Sequence, residues 1–169
     1  MIAKRLNVDI KYLIDLAYLP RIDYVNEVIN SIRTKTRDKQ FKEVLELIKT
    51  EKKNPLFEED IYNKQFLIWH EAICLNYLEK KADKALLLLD EAINLTKIND
   101  SFSEREIEIL LSKGIIFSEQ KNYEEAIEVY QVCLRNLKNL TQLNDFQIQI
   151  RILYNLTKTL IDYEKRKTP

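Results

Sequence analysis

The chain has 169 residues, 46% of them hydrophobic, with 27 Lys+Arg against 27 Asp+Glu and a formal net charge of zero. A core of useful size is affordable, but there is no overall field to draw the chain to nucleic acid or to an anionic membrane. One glycine and three prolines argue against hairpin-rich β structure and exclude glycine-rich phosphate loops, leaving an all-α reading.

In chain order, Met1 to Leu19 reads as two short amphipathic helices split near Asn7-Val8-Asp9, with Asp9 as an N-cap. Pro20 is expected to stop this segment, with a new helix beginning near Arg21. From Asp23 to Thr36, Tyr24, Val25, Val28, Ile29 and Ile32 share one face. After Arg37-Asp38-Lys39, a second helix carries Phe41, Val44, Leu45, Leu47 and Ile48 and ends before Asn54-Pro55. The next pair starts near Phe57-Glu58-Glu59-Asp60. Its first helix carries Ile61, Tyr62, Phe66, Trp69, Ala72, Ile73 and Tyr77. Its second runs from about Ala82 to Thr96.

The stretch from Arg105 to Lys138 is the best specified. Ile107, Leu110, Leu111, Gly114, Ile115 and Phe117 fall at helical spacing, as do Tyr123, Ala126, Ile127, Tyr130 and Leu134. Ser103 with Glu106, and Asn122 with Glu125, read as capping boxes. Gly114 sits inside a helix, where glycine costs roughly 1 kcal/mol relative to alanine. That points to close approach of another helix, with Ala126 as the matching small surface. The order Leu110, Gly114, Phe117, Tyr123, Ala126, Tyr130 resembles the tetratricopeptide repeat.

Val44, Ala85 and Ala126 are spaced by 41 residues, and so are Ile48, Leu89 and Tyr130. Val28, Trp69 and Leu110 keep the same step, as do Ile32, Ile73 and Gly114. The ordinary tetratricopeptide period is about 34, so the excess is assigned to the links between hairpins. Four units are expected over 21–54, 57–98, 103–140 and 143–169, the last incomplete. From about Leu143 the pattern restarts, and Phe146, Ile148, Ile150, Ile152, Leu153, Leu156 and Leu160 form its leading helix with no second helix after it. A repeat unit cannot bury its apolar face without a neighbour, so this helix is expected to pack on another chain, unless the array itself is longer.

No run approaches the length of a membrane span, and Cys74 and Cys133 lack a CxxC partner. A reduced, cytoplasmic protein without a metal or cofactor is expected. His70 is the only histidine. It has no serine or cysteine partner at a suggestive spacing, and a ligand-facing or solvent-facing position is expected for it. Glu58-Glu59-Asp60 and Glu124-Glu125 begin helices, where carboxylates complement the helix dipole. Arg33, Lys35, Arg37 and Lys39 gather at a helix end, as dipole compensation or as an anchor for a peptide carboxylate. No nucleophile, base and orienter assemble, so no catalytic residues are assigned. Stacked helix pairs offer a concave face instead, lined by the first helix of each pair. Its expected positions are Arg33, Arg37, His70, Cys74, Tyr77, Leu111, Ile115, Ser118, Glu119, Asn155 and Lys158.

The segment Ile2-Ala3-Lys4-Arg5-Leu6-Asn7-Val8 with Leu13-Ile14 resembles the closing helices of a Cro-type helix-turn-helix, and an ordinary amphipathic cap fits it too. Together with the Gln40-Phe41-Lys42-Glu43 start, the long repeats and Arg151-Ile152-Leu153-Tyr154-Asn155-Leu156, it resembles the PlcR and NprR (RNPP) type of peptide-sensing transcription regulator. The resemblance implies an all-α right-handed superhelix of antiparallel helix pairs. It also implies a short signalling peptide as ligand, a homodimer, and DNA contact only through a helix-turn-helix that this chain lacks. In such proteins asparagines on the inner helices hold the peptide backbone. Asn155 matches such a position, whereas Ile115 stands where an asparagine is expected. The alternative is a scaffold that docks a protein partner, or a full-length relative, through the last helix.

Overall fold

The computed structural model describes residues 10–98, 101–140 and 147–167, with side chains from Arg21 onward. The Asp9 cap, and Leu143 and Phe146 of the last unit, lie outside the described residues, and so does most of the helix-turn-helix-like segment. Among the described residues there are eight α-helices and no strand: α1 Ile10–Arg37, α2 Phe41–Glu51, α3 Pro55–Glu58, α4 Ile61–Glu79, α5 Ala82–Thr96, α6 Glu104–Glu119, α7 Tyr123–Leu137 and α8 Gln147–Lys167. They form a tetratricopeptide-like all-α stack. The pairs α1/α2, α4/α5 and α6/α7 are hairpins, and each trailing helix packs on the next leading one: α2 on α4, α5 on α6, α7 on α8. The leading helices α1, α4, α6 and α8 adjoin in turn along the other side.

Pro20 does not stop the first segment: α1 runs through it without a break for 28 residues. Proline's fixed φ is itself helical, so a helix can continue through it at the loss of one backbone hydrogen bond. Burial of Val28 and Ile32 fixes the half that follows. The link between the first two pairs also differs from expectation. Asn54 caps a one-turn helix, α3, by accepting from the Leu56 amide at 3.1 Å, with Pro55 at its first position. This buries Phe57 completely. The next helix then starts afresh behind Asp60, whose carboxylate accepts from the amides of Tyr62 and Asn63 at 2.9 and 2.8 Å.

The 41-residue step reappears in the backbone. Lys39, Lys80 and Lys121 each turn the chain within a hairpin, and they are the positive-φ residues among those described, at 60°, 55° and 63°. The turns at Lys39 and Lys121 are closed alike. The Gln40 amide donates to the Lys35 carbonyl at 2.9 Å, and the Asn122 amide to the Phe117 carbonyl at 3.0 Å, the helix-ending pattern that needs a left-handed residue.

Helix starts are less uniform than the sequence implied. Ser103 and Glu106 form a complete capping box, but Asn122 makes no side-chain cap. The reason is its backbone, which at φ −84° and ψ 70° leaves the extended conformation that aims a cap side chain at the helix amides.

The core is continuous from Val28 to Ile152. Gly114 does mark a close approach, but the neighbour is the ring of Tyr130 and not Ala126. A methyl group at residue 114 would stand 2.5 Å from Tyr130 Cε1. Buried carboxylates are tied to donors, as they must be. Glu51 accepts from Tyr24 Oη at 2.7 Å and Asn54 Nδ2 at 2.8 Å. Glu106 accepts from Thr96 Oγ1 at 2.5 Å, which ties α5 to α6.

Candidate ligand cavity

The leading helices enclose a cavity of about 780 Å³, within the roughly 300–1,000 Å³ usual for a ligand cleft. Arg33, Thr36 and Arg37 of α1, Lys39 of the turn and Phe41 of α2 form one wall. Trp69, His70, Ile73 and Tyr77 of α4 form the floor. Glu108, Ser112, Ile115, Ile116 and Glu119 of α6 face them, and Gln147 and Arg151 of α8 close the far side. The α4 and α6 residues recur at three- and four-residue intervals, which puts them on one face of each helix.

Glu108 is the electrostatic centre. Its side chain is 7% exposed. Arg33 grips it with both terminal nitrogens, Nη2 to Oε2 at 2.9 Å and Nη1 to Oε1 at 3.4 Å. Arg151 Nη1 donates to Oε1 at 3.1 Å. One carboxylate therefore ties α1, α6 and α8 together. The Arg33 guanidinium also lies 5.7 Å from the centre of the Phe66 ring and 5.5 Å from that of Trp69, within cation–π range. Trp69 Nε1 donates to Ser112 Oγ at 2.9 Å, and that hydroxyl donates to the Glu108 carbonyl at 3.1 Å. At the other end, Phe41 stacks on Tyr77 with centroids 4.6 Å apart and planes 7° from parallel. Tyr77 Oη and Asn76 Nδ2 donate to the two oxygens of Glu119 at 2.7 and 2.9 Å. Burial, then the Glu119 carboxylate, hold the Tyr77 phenol well above its ordinary range.

His70 is 3% exposed, so a solvent-facing position is ruled out. It packs between the Phe66 and Trp69 rings, 4.1 and 4.4 Å from their centroids. Its Nδ1 lies 2.9 Å from the Phe66 carbonyl, which assigns the proton to that nitrogen. Burial, reinforced by the charges of Arg33 and Arg105, pushes its pKa down to about 3 despite that hydrogen bond. It is neutral at pH 7 and takes up no proton there.

Of the residues expected on the concave face, Arg33, Arg37, His70, Tyr77, Ile115 and Glu119 surround this one cavity. Cys74 and Leu111 are fully buried in the core instead, and burial pushes the Cys74 thiol up to about 12. Ser118 is spent on α8, its Oγ 2.8 Å from Thr159 Oγ1. Asn155 donates to the Arg151 carbonyl of its own helix at 2.8 Å, and Lys158 is exposed. The buried stripe of α8 runs through Ile148, Ile152 and Thr159. Gln147 and Arg151 line the cavity, whereas Lys158, two turns beyond Arg151 on the same side of α8, is not part of its lining. Glu108 and Arg151 were missed. The signal for Glu108 was a carboxylate inside the apolar run Ile107 to Leu111, a setting that demands partners.

Among the described residues no three His, Cys, Asp or Glu side chains are placed to hold a metal ion, and no helix is long and apolar enough to cross a membrane. The chain is thus a helix-pair repeat stack with a cavity lined mainly by its leading helices. The model of the RNPP family C-terminal domain matches residues 29–168, and the chain belongs to that family. No curated protein and no solved structure matches it.

Proposed function

We propose that this chain is the peptide-responsive part of a regulator, taking a short peptide into the cavity between α1, α4, α6 and α8. The observation that carries this reading is the composition of the cavity wall. It joins aromatic and aliphatic side chains (Phe41, Trp69, Ile73, Tyr77, Ile115) to fixed charged groups (Arg33, Glu108, Arg151). Such a wall buries apolar side chains while a few polar contacts set orientation. Along α6, Glu108 and Glu119 are eleven residues apart, or about 16 Å at 1.5 Å per residue. An extended chain of about five residues spans that length. Trp69 is the only tryptophan and lies in the wall, so peptide entry is expected to change intrinsic fluorescence in a saturable way. A mixed library of five- to seven-residue peptides that leaves the emission unchanged at millimolar concentration removes this reading.

A second reading, favoured by a different surface, is pairing of two copies through α8. Ile150, Leu153, Tyr154, Leu160 and Ile161 are between 41% and 68% exposed on that helix. Leu156, by contrast, is packed against the core and belongs to the fold, not to this surface. On α8 the cavity residues Gln147 and Arg151 lie between the buried stripe of Ile148 and Ile152 and this exposed face, with Tyr154 one turn beyond Arg151.

A further inference from the structure

The cavity is not electrically neutral. Its cationic lining residues are Arg33, Arg37, Lys39 and Arg151, against Glu108 and Glu119. Glu119 is held by the neutral donors Asn76 and Tyr77, so it cancels none of the hydrogen-bonding capacity of the arginines. At the other end one carboxylate serves two guanidiniums. Glu108 is sunk in the wall, whereas the side chains of Arg33 and Arg151 keep 40% and 44% of their exposure. A guanidinium has five N–H donors in a planar fork. Arg151 spends one nitrogen on Glu108, and Arg33 spends its two terminal nitrogens. The unspent donors and a net positive charge therefore sit above the buried carboxylate, beside the Trp69 ring. A cation pair that shares one carboxylate, next to an apolar floor, is matched by a second anion of planar, two-oxygen geometry.

We infer that the cavity selects ligands carrying a carboxylate, which docks on Arg33 and Arg151 above Glu108, and that Glu108 is a built-in counter-anion holding both arginines in place until the ligand shares them. This rests on the peptide reading and names the chemistry of its ligand. The carboxylate is either a peptide C-terminus or an acidic side chain. Because Glu108 and the ligand draw on the same donors, they oppose each other. Removing the internal charge strengthens ligand binding, which is the reverse of what a merely structural ion pair does.

The test uses three pentapeptide libraries with matched apolar and polar positions. One has free C-termini and no internal acid, one is C-terminally amidated and uncharged, and one is amidated with a single internal Asp or Glu. Retention by the immobilised full chain is read by mass spectrometry. One or both of the acidic libraries is expected to be retained about tenfold better than the neutral amides, a factor that corresponds to ~1.4 kcal/mol. Which of the two is retained tells the C-terminus from the side chain. The best-retained acid is then titrated by Trp69 emission against Glu108→Gln and Arg151→Gln, with circular dichroism confirming the fold of each. Glu108→Gln is expected to bind several-fold more tightly and Arg151→Gln about tenfold more weakly. Neutral amides retained as well as acids, or weaker binding by a folded Glu108→Gln, overturn the inference and leave peptide binding standing. Retention of none of the three libraries defeats the peptide reading itself. Should Glu108→Gln not fold, Arg151→Gln, with its half-exposed side chain, decides alone: unchanged affinity for the acid overturns the inference.

Discussion

At the residue scale, His70 and Gly114 show burial deciding against local expectation. The folded protein holds His70 neutral, with its pKa pushed down to about 3, against an ordinary value of about 6.5 in the unfolded chain. A depressed histidine pKa means that the unfolded state binds the proton more readily between those values. The stability it contributes is therefore present above pH 6.5 and is lost as pH falls toward 3. From pH 7.5 to pH 5 this is expected to lower unfolding free energy by about 2 kcal/mol. His70→Gln should show a shallower fall over the same range in urea melts at each pH. Equal slopes for the two proteins count against the burial argument. Gly114 works in the other direction. Alanine there gains roughly 1 kcal/mol of helix propensity, but its methyl group meets the Tyr130 ring at 2.5 Å. Tyr130 is fully buried, so its ring has nowhere to go, and overpacking of this kind costs about 1–3 kcal/mol. Gly114→Ala is expected to lower the denaturation midpoint, a net loss of up to about 2 kcal/mol. A gain would show that Tyr130 relaxes freely.

At the element scale, the hairpins turn on lysines in a conformation that favours glycine. A side chain in the left-handed region costs roughly 1–2 kcal/mol, and replacing it with glycine returns part of that against the entropy of a looser unfolded chain. Lys80→Gly and Lys121→Gly are each expected to raise stability by about 0.5–1 kcal/mol, read as a higher urea midpoint with unchanged slope. A loss at both sites would mean that the lysine side chains contribute more than the strained backbone takes away. Lys39 has the same backbone but lines the cavity, so a change there mixes stability with binding. The 41-residue step is visible in the sequence as columns of core residues. These turns show it as a conformation as well, because each hairpin must reverse at the same point for the columns to align.

At the scale of the whole molecule, α8 decides two things. Its inner side supplies Arg151 to the cavity and Ile148 and Ile152 to the core. Its outer side leaves five large apolar residues exposed, a cluster of the kind that marks an interaction surface. If two copies pair there, concentration-dependent dimers are expected in sedimentation, and Ile150→Glu combined with Tyr154→Glu should weaken them by at least about tenfold. A wild-type chain that stays monomeric at all concentrations removes pairing through this face. The Glu108 bridge joins the first, third and last leading helices, so pairing through α8 and occupancy of the cavity share one mechanical element.

The sequence by itself determined the hairpins and their 41-residue period, because these follow from spacing along one chain, but not the continuity of α1 through Pro20 or the one-turn α3. It also supplied the resemblance to the family whose C-terminal domain model matches residues 29–168. Only the tertiary structure decided which side of each leading helix faces the cavity. Leu111 and Ser118 differ from Ser112 and Glu119 by one residue each, a rotation of about 100° on a helix of 3.6 residues per turn, and the packing of α6 on α7 and α5 fixes that rotation. The pairing of Glu108 with Arg33 and Arg151, far apart along the chain, likewise exists only once the first to the fourth units are stacked. Nothing local requires it, whereas a buried carboxylate requires partners from wherever the fold can bring them.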